Sequence, residues 1–172
     1  MIKLLGALCI LFAGTLLGFY QALQLSRRPS QIRQLIQALQ RLETEVMYGF
    51  TPLPDAFRAI SKPLSAPLAK LFQLAADQLI GNKGFTTQES LQYAVSECWK
   101  HTSMKQSERD VVEQLGYSLG ITDREDQIKH LRLAISHLHA EEATACDEQK
   151  RFEKMWKSLG LLSAALVVLL MY

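Results

Sequence analysis

The chain has 172 residues, enough for one domain with appendages. Its 19 Lys and Arg stand against 17 Asp and Glu, a formal net charge of +2, which argues against a nucleic-acid partner held by bulk positive charge. With 48% apolar and 21% charged residues, 5 Pro and 9 Gly, it is neither disordered nor collagen-like nor dominated by linkers.

The charges are segregated. Lys3 is the only charged side chain before Arg27, and none follows Lys157. A charged central block therefore lies between two apolar ends, and we divide the chain into residues 1–26, 27–157 and 158–172. The first apolar run, from Leu4 to about Leu25, is roughly 22 residues. As a helix it spans a hydrocarbon core of about 30 Å. It is longer than the apolar region of a secretory signal peptide, and Gln21-Ala22-Leu23-Gln24 is a poor cleavage site, so it reads as a retained transmembrane anchor. Within it, Gly14 and Gly18 form a GxxxG spacing that lets another helix approach closely.

The central block carries helical periods throughout and no β alternation. Pro29 is expected to start a helix whose apolar stripe is Ile32, Leu35, Ile36, Leu39, Leu42 and Val46, with Gly49 near its end. Thr51 followed by Pro52 reads as an N-cap and first helical position, opening a short helix to about Ser61 with Ala56, Phe57 and Ile60 on its apolar face. Beyond Pro63 and Pro67, a third helix shows Leu68, Leu71, Phe72, Ala75 and Leu79 on one side, closed by Gly81-Asn82-Lys83-Gly84. Thr86 with Glu89 reads as a capping box for a fourth helix bearing Leu91, Ala94, Val95, Cys98 and Trp99. A fifth runs from about Ser107 through Val111, Val112, Leu115 and Leu119 to Gly120.

Thr122 with Glu125 suggests a second capping box. From about Asp123, Ile128, Leu131, Ile135, Leu138, Ala145, Phe152, Trp156 and Leu159 keep a seam near period 3.5. This predicts one helix of roughly 75 Å that enters the membrane without a break; the alternative is an interruption near Cys146-Asp147. The last apolar run, Ser158–Tyr172, is only about 15 residues, short for a span, but Lys154 and Lys157 can snorkel and Trp156 suits the interface. A buried core helix is the competing reading. Gly160 and Ala164 repeat the small-xxx-small spacing. The predicted fold is thus all-α: a cytosolic bundle of about six helices between an N-terminal and a C-terminal transmembrane helix.

Arg27, Arg28, Arg33 and Arg41 follow the first span, and Lys150, Arg151, Lys154 and Lys157 precede the second. The positive-inside rule then places the block in the cytoplasm and both termini on the far side. Three cysteines, Cys9, Cys98 and Cys146, without a CxxC, imply neither a disulfide framework nor a zinc site.

Enzymatic signatures are missing. Gly81-Asn82-Lys83-Gly84 lacks the P-loop spacing, and no HExxH occurs. His137 and His139 point to different sides of a helix. His130 and His137 are two turns apart on a solvated stripe, and His137 with Glu141 is an ordinary i, i+4 pair. Glu141-Glu142 has no substrate pocket suggested around it. No cofactor or metal is implied.

Three segments carry a resemblance: Leu42 and Thr44-Glu45-Val46-Met47-Tyr48-Gly49-Phe50-Thr51-Pro52-Leu53; Leu115-Gly116-Tyr117-Ser118-Leu119-Gly120-Ile121-Thr122-Asp123-Arg124; and Lys154-Met155-Trp156-Lys157-Ser158-Leu159-Gly160. In order and spacing they resemble the stage III sporulation protein AB family of endospore-forming bacteria. That family in turn resembles the platform (F-type) proteins of type II secretion and type IV pilus machines. Platform proteins carry two copies of the bundle, and this chain has no internal repeat, so dimerisation would supply the second copy. The Gly84 segment also departs, with Ser90 near the usual small Ala.

The resemblance implies a sporulation role in the complex linking mother cell and forespore. It places the chain in the mother-cell membrane around the forespore, docking a cytosolic secretion-type ATPase, stage III sporulation protein AA, and joining other stage III sporulation membrane proteins. Candidate docking contacts are the basic residues Arg58, Lys62, Lys83, Lys100 and Lys105. A passive anchor that assembles partners without transmitting motion is the alternative.

Overall fold

The computed structural model describes residues 26–49, 51–81, 84–120 and 122–171. The expected first span, with Gly14 and Gly18, lies outside them. Among the described residues no helix is long and apolar enough to cross a membrane. Two compact units divide the chain: Arg28–Ala143, and the flanks Met1–Arg27 with Thr144–Tyr172.

Six α-helices and one 3-10 turn are described, and no strand. They are α1 (26–48), α2 (Leu53–Ser61), α3 (Ala66–Ile80), α4 (Thr87–Cys98), the 3-10 turn Trp99–His101, α5 (Gln106–Ser118) and α6 (Arg124–Met171). The expected all-α class and the six helices are found. In the flanking unit the described backbone from Thr144 to Met171 is the continuing run of α6, so the alternative of a break near Cys146-Asp147 does not occur. Gly160 and Ala164 lie one turn apart on that run; their packing lies outside the described side chains.

Within Arg28–Ala143 the core is built from the predicted stripes. Ile32, Leu35, Ile36, Leu39 and Leu42 of α1 are buried, joined by Ala38, so its buried arc is wide enough for several neighbours. Phe57 of α2 meets Phe72 of α3 at 5.8 Å between ring centroids and 53°, a tilted pair worth about 0.5–1.5 kcal/mol beyond burial. Leu91, Ala94, Val95, Cys98 and Trp99 of α4, Val112, Leu115 and Leu119 around α5, and Leu131, Ile135 and Leu138 of α6 complete it. Further along α6, Phe152 is exposed, so the seam does not continue there as a buried stripe.

Polar side chains of α1 fasten other helices. The Gln31 carbonyl accepts the Ser103 N–H at 2.7 Å, and the Gln34 carbonyl accepts that of Ser65, the residue capping α3, at 2.8 Å. Each supplies an acceptor that a chain connection needs once it leaves water.

Three helix starts differ from expectation. Pro29 lies inside the helical run, three residues after Ser26. Its missing N–H would have reached residue 25, so it breaks no hydrogen bond among the described residues. Thr51 does not cap α2: its hydroxyl donates to Glu45 Oε2 at 2.9 Å, and the helix starts one residue later, behind Pro52. Thr122 does not cap α6. Asp123 accepts the Asp126 N–H at 2.9 Å, while the Thr122 hydroxyl donates to the Ser118 carbonyl. The Thr86–Glu89 capping box forms as expected.

Candidate functional site

Three chain connections converge at one end of the compact unit: α1 to α2, α3 to α4, and α5 to α6. Gly120, at φ +86°, is their meeting point. A Cβ built there would stand 2.6 Å from Thr87 Oγ1 and 3.9 Å from Leu53 Cδ2. Both its dihedral and the space around it therefore select glycine. One turn earlier, on α5, a Cβ at Gly116 would lie 3.2 Å from the Gln88 Cα, so glycine there lets α5 approach the α4 backbone closely.

A groove of about 260 Å³ opens between the first and the last of these connections, with Glu45, Val46, Gly49, Leu53, Gly120 and Arg124 on its walls. The first two sequence segments carrying the family resemblance thus form opposite sides of one groove. Beside it, each connection is flanked by an exposed aromatic side chain: Tyr48 at 78%, Phe85 at 40% and Tyr117 at 58% exposure. Large aromatics held on a rigid frame are what protein interfaces use as anchors. The charges at this tip are mostly acidic, with Asp55, Glu89, Asp123 and Glu125 exposed.

The tip is held by local hydrogen bonds. Gln127 Nε2 donates to the Thr122 carbonyl at 2.8 Å, and Glu89 accepts the Thr86 N–H at 2.8 Å. That backbone bond, with the Thr86 hydroxyl, holds the Glu89 carboxyl below the usual carboxylate range.

Away from the tip, a buried ion cluster ties the two points where the chain enters and leaves the compact unit. Arg28 is 7% exposed and Glu108 0%. Arg28 Nε donates to Glu108 Oε1 at 2.8 Å, and its Nη2 to Glu141 Oε2 at 3.1 Å. Glu108 Oε2 also accepts the Lys105 N–H at 2.7 Å, so one carboxylate both neutralises an arginine and satisfies the start of α5. Glu142 takes Arg33 at 2.8 Å and faces His139 at 3.5 Å. Glu141 and Glu142 are thereby occupied as partners of α1 arginines, and the histidine that pairs is His139 rather than His137.

Four of the five basic docking candidates, Arg58, Lys62, Lys100 and Lys105, are described and exposed. Arg58 donates to Asp77 at 2.8 Å. Lys62 is exposed in the α2–α3 turn, Lys100 is exposed in the 3-10 turn, and Lys105 is exposed just before α5. Lys83 lies outside the described residues. The tip aromatics were missed because none sits on an apolar stripe and nothing local says that three connections meet.

Among the described residues no three His, Cys, Asp or Glu side chains assemble as metal ligands. His130 and His137 border a cleft of about 20 Å³, too small for a substrate. Burial pushes the Cys98 thiol up, so it stays protonated and weakly nucleophilic at neutral pH.

Comparison with known proteins agrees with the sequence resemblance. The family described as stage III sporulation protein AB matches residues 3–172. The stage III sporulation protein AB of Bacillus subtilis (strain 168) is 46% identical over 172 residues, covering 99% of each chain. A solved structure of a stage III sporulation protein AB superposes with a TM-score of 0.68 at 43% identity, over 73% of this chain and 98% of that one. The groove residues, the buried helix stripes and these matches lead to one conclusion: the chain belongs to the stage III sporulation protein AB family.

Proposed function

We propose that this chain is a non-enzymatic platform of a secretion-like mother cell–forespore channel complex, held in the mother-cell membrane by its apolar ends. It docks the cytosolic secretion-type ATPase, stage III sporulation protein AA, and couples it to membrane partners of the same complex. The carrying observation is the tip: both family segments of the compact unit line one groove there, beside Tyr48, Phe85 and Tyr117. We place the docking face at this tip. Its acidic rim favours a basic ATPase surface, and it lies away from the points where the chain enters and leaves the unit.

The test is capture of the purified ATPase by the immobilised full chain in nanodiscs, with and without nucleotide. Tyr48→Ala, Phe85→Ala and Tyr117→Ala together should weaken capture by more than about tenfold, each anchor being worth over about 1 kcal/mol. Charge reversal of Arg58, Lys62, Lys83, Lys100 and Lys105 should leave capture in place. The opposite pattern moves docking to the basic residues. Loss in neither set rejects the docking assignment in favour of a passive anchor.

A further inference from the structure

The compact unit is electrically polarised, and its basic side belongs to the entry and exit of the chain. The Arg28–Glu141 contact, at 3.1 Å, brings the unit's first residue beside its last turn. The Gln31–Ser103 hydrogen bond places the α4–α5 connection against the first turns of α1. The 3-10 turn packs against α3, so Lys100 of the turn and Lys70 of the first turns of α3 sit at the same end of the unit. The Lys105 backbone is bonded to Glu108, which holds Arg28. Lys70, Lys100 and Lys105 therefore form one shoulder around the chain entry, and all three are exposed.

The segments that build this shoulder are free of acid. No Asp or Glu occurs before Glu43, between Asp55 and Asp77, or between Glu97 and Glu108. The carboxylates that do reach it are occupied: Glu108 and Glu141 by Arg28, and Glu142 by Arg33. Glu97 on α4 and Asp110 on α5 are the exposed exceptions. Lys70 and Lys100 make no ion pair among the described residues. The tip, by contrast, exposes Asp55, Glu89, Asp123 and Glu125 against the one described cation of its groove, Arg124. In sequence, the uncharged apolar run from Leu4 to about Leu25 ends two residues before Arg27.

We infer that the shoulder of Lys70, Lys100 and Lys105 rests on anionic phospholipid headgroups and so seats the compact unit with its acidic tip away from the membrane. The inference rests on the membrane attachment proposed above. Each lysine within a Debye length of an anionic surface strengthens such a contact about fivefold. Three acting together can orient a unit that its flanking chain segments only tether.

The experiment uses the full chain in vesicles, either phosphatidylcholine alone or phosphatidylcholine with phosphatidylglycerol. Flotation first reports attachment in both lipids. Backbone hydrogen exchange over residues 99–107 then reports the contact. Exchange there should slow several-fold when phosphatidylglycerol is present, recover in high salt, and stay unchanged at residues 84–86 and 119–123. Lys70→Glu, Lys100→Glu and Lys105→Glu together should abolish the lipid dependence, and the three Lys→Arg replacements should keep it. A chain that floats with both vesicles but exchanges equally over 99–107 refutes the shoulder contact alone. A chain that fails to float refutes the membrane reading and the contact with it.

Discussion

Three charged side chains stand where apolar ones are expected. Arg28 lies four residues before Ile32 on the α1 stripe, Glu108 four before Val112 on α5, and Glu141 three after Leu138 on α6. Two acids and one base on three buried stripes predict one another, because a lone buried charge is costly and a matched set is tolerated. Arg28→Met leaves Glu108 buried without its cation and should destabilise the chain by about 3–5 kcal/mol, read by urea unfolding. The Arg28→Met, Glu108→Leu double variant should recover part of that loss, since it removes both charges. At the tip, Gly120→Ala should cost about 1–3 kcal/mol, because alanine meets both the positive φ and Thr87. Adding Thr87→Ala relieves only the contact, so only part of the stability should return. Glu89 adds a pH signature. Its carboxyl pKa is lowered on folding, so its stabilisation is complete above the unfolded value and fades as pH falls through the folded one. Glu89→Gln keeps the capping geometry at neutral pH and should flatten the fall of melting temperature below about pH 4.3.

At the scale of elements, the six helices are legible because each keeps an unbroken apolar stripe at helical spacing over two or more turns. Their starts are less legible. Thr51 and Thr122 have the chemistry of N-caps, but each hydroxyl finds another acceptor, Glu45 in one case and the Ser118 carbonyl in the other. Asp123 takes over at α6, where its charge also suits the helix dipole. Capping choices between adjacent competent residues are settled by tertiary neighbours, and those are not in the local sequence. The aromatic tip is hidden for the same reason. Tyr48, Phe85 and Tyr117 are far apart in the chain and share no period; only the packing of α2 on α3, α3 on α4 and α4 on α5 brings their connections together. The packing of α4 on α5 depends on Gly116. Gly116→Val places side-chain atoms against the Gln88 backbone and should destabilise by about 1–3 kcal/mol. It should also weaken ATPase capture at temperatures where the fold persists, by displacing Tyr117 from the other two aromatics.

At the scale of the whole molecule, the distinction that matters is between a platform that passes on motion and an anchor that only holds its partners. The compact unit ends at Ala143, yet α6 runs unbroken from Arg124 to Met171. Its helical hydrogen bonds therefore continue past the last residue of the core, which is the condition for a stiff link leading out of the unit. Cys146 lies just beyond that boundary, so a change after it spares the core. Seven inserted residues add about two helical turns and nearly preserve rotational phase. A Gly-Ser insertion of that length should keep ATPase capture and assembly, because the tip is untouched, but should lower the yield of heat-resistant spores if α6 transmits force. An alanine-rich insertion of the same length preserves helical stiffness and should restore much of that yield. Equal yields from both insertions, at the level of the unaltered chain, would mean that rigidity beyond Ala143 is not used, and that the protein serves as an anchor.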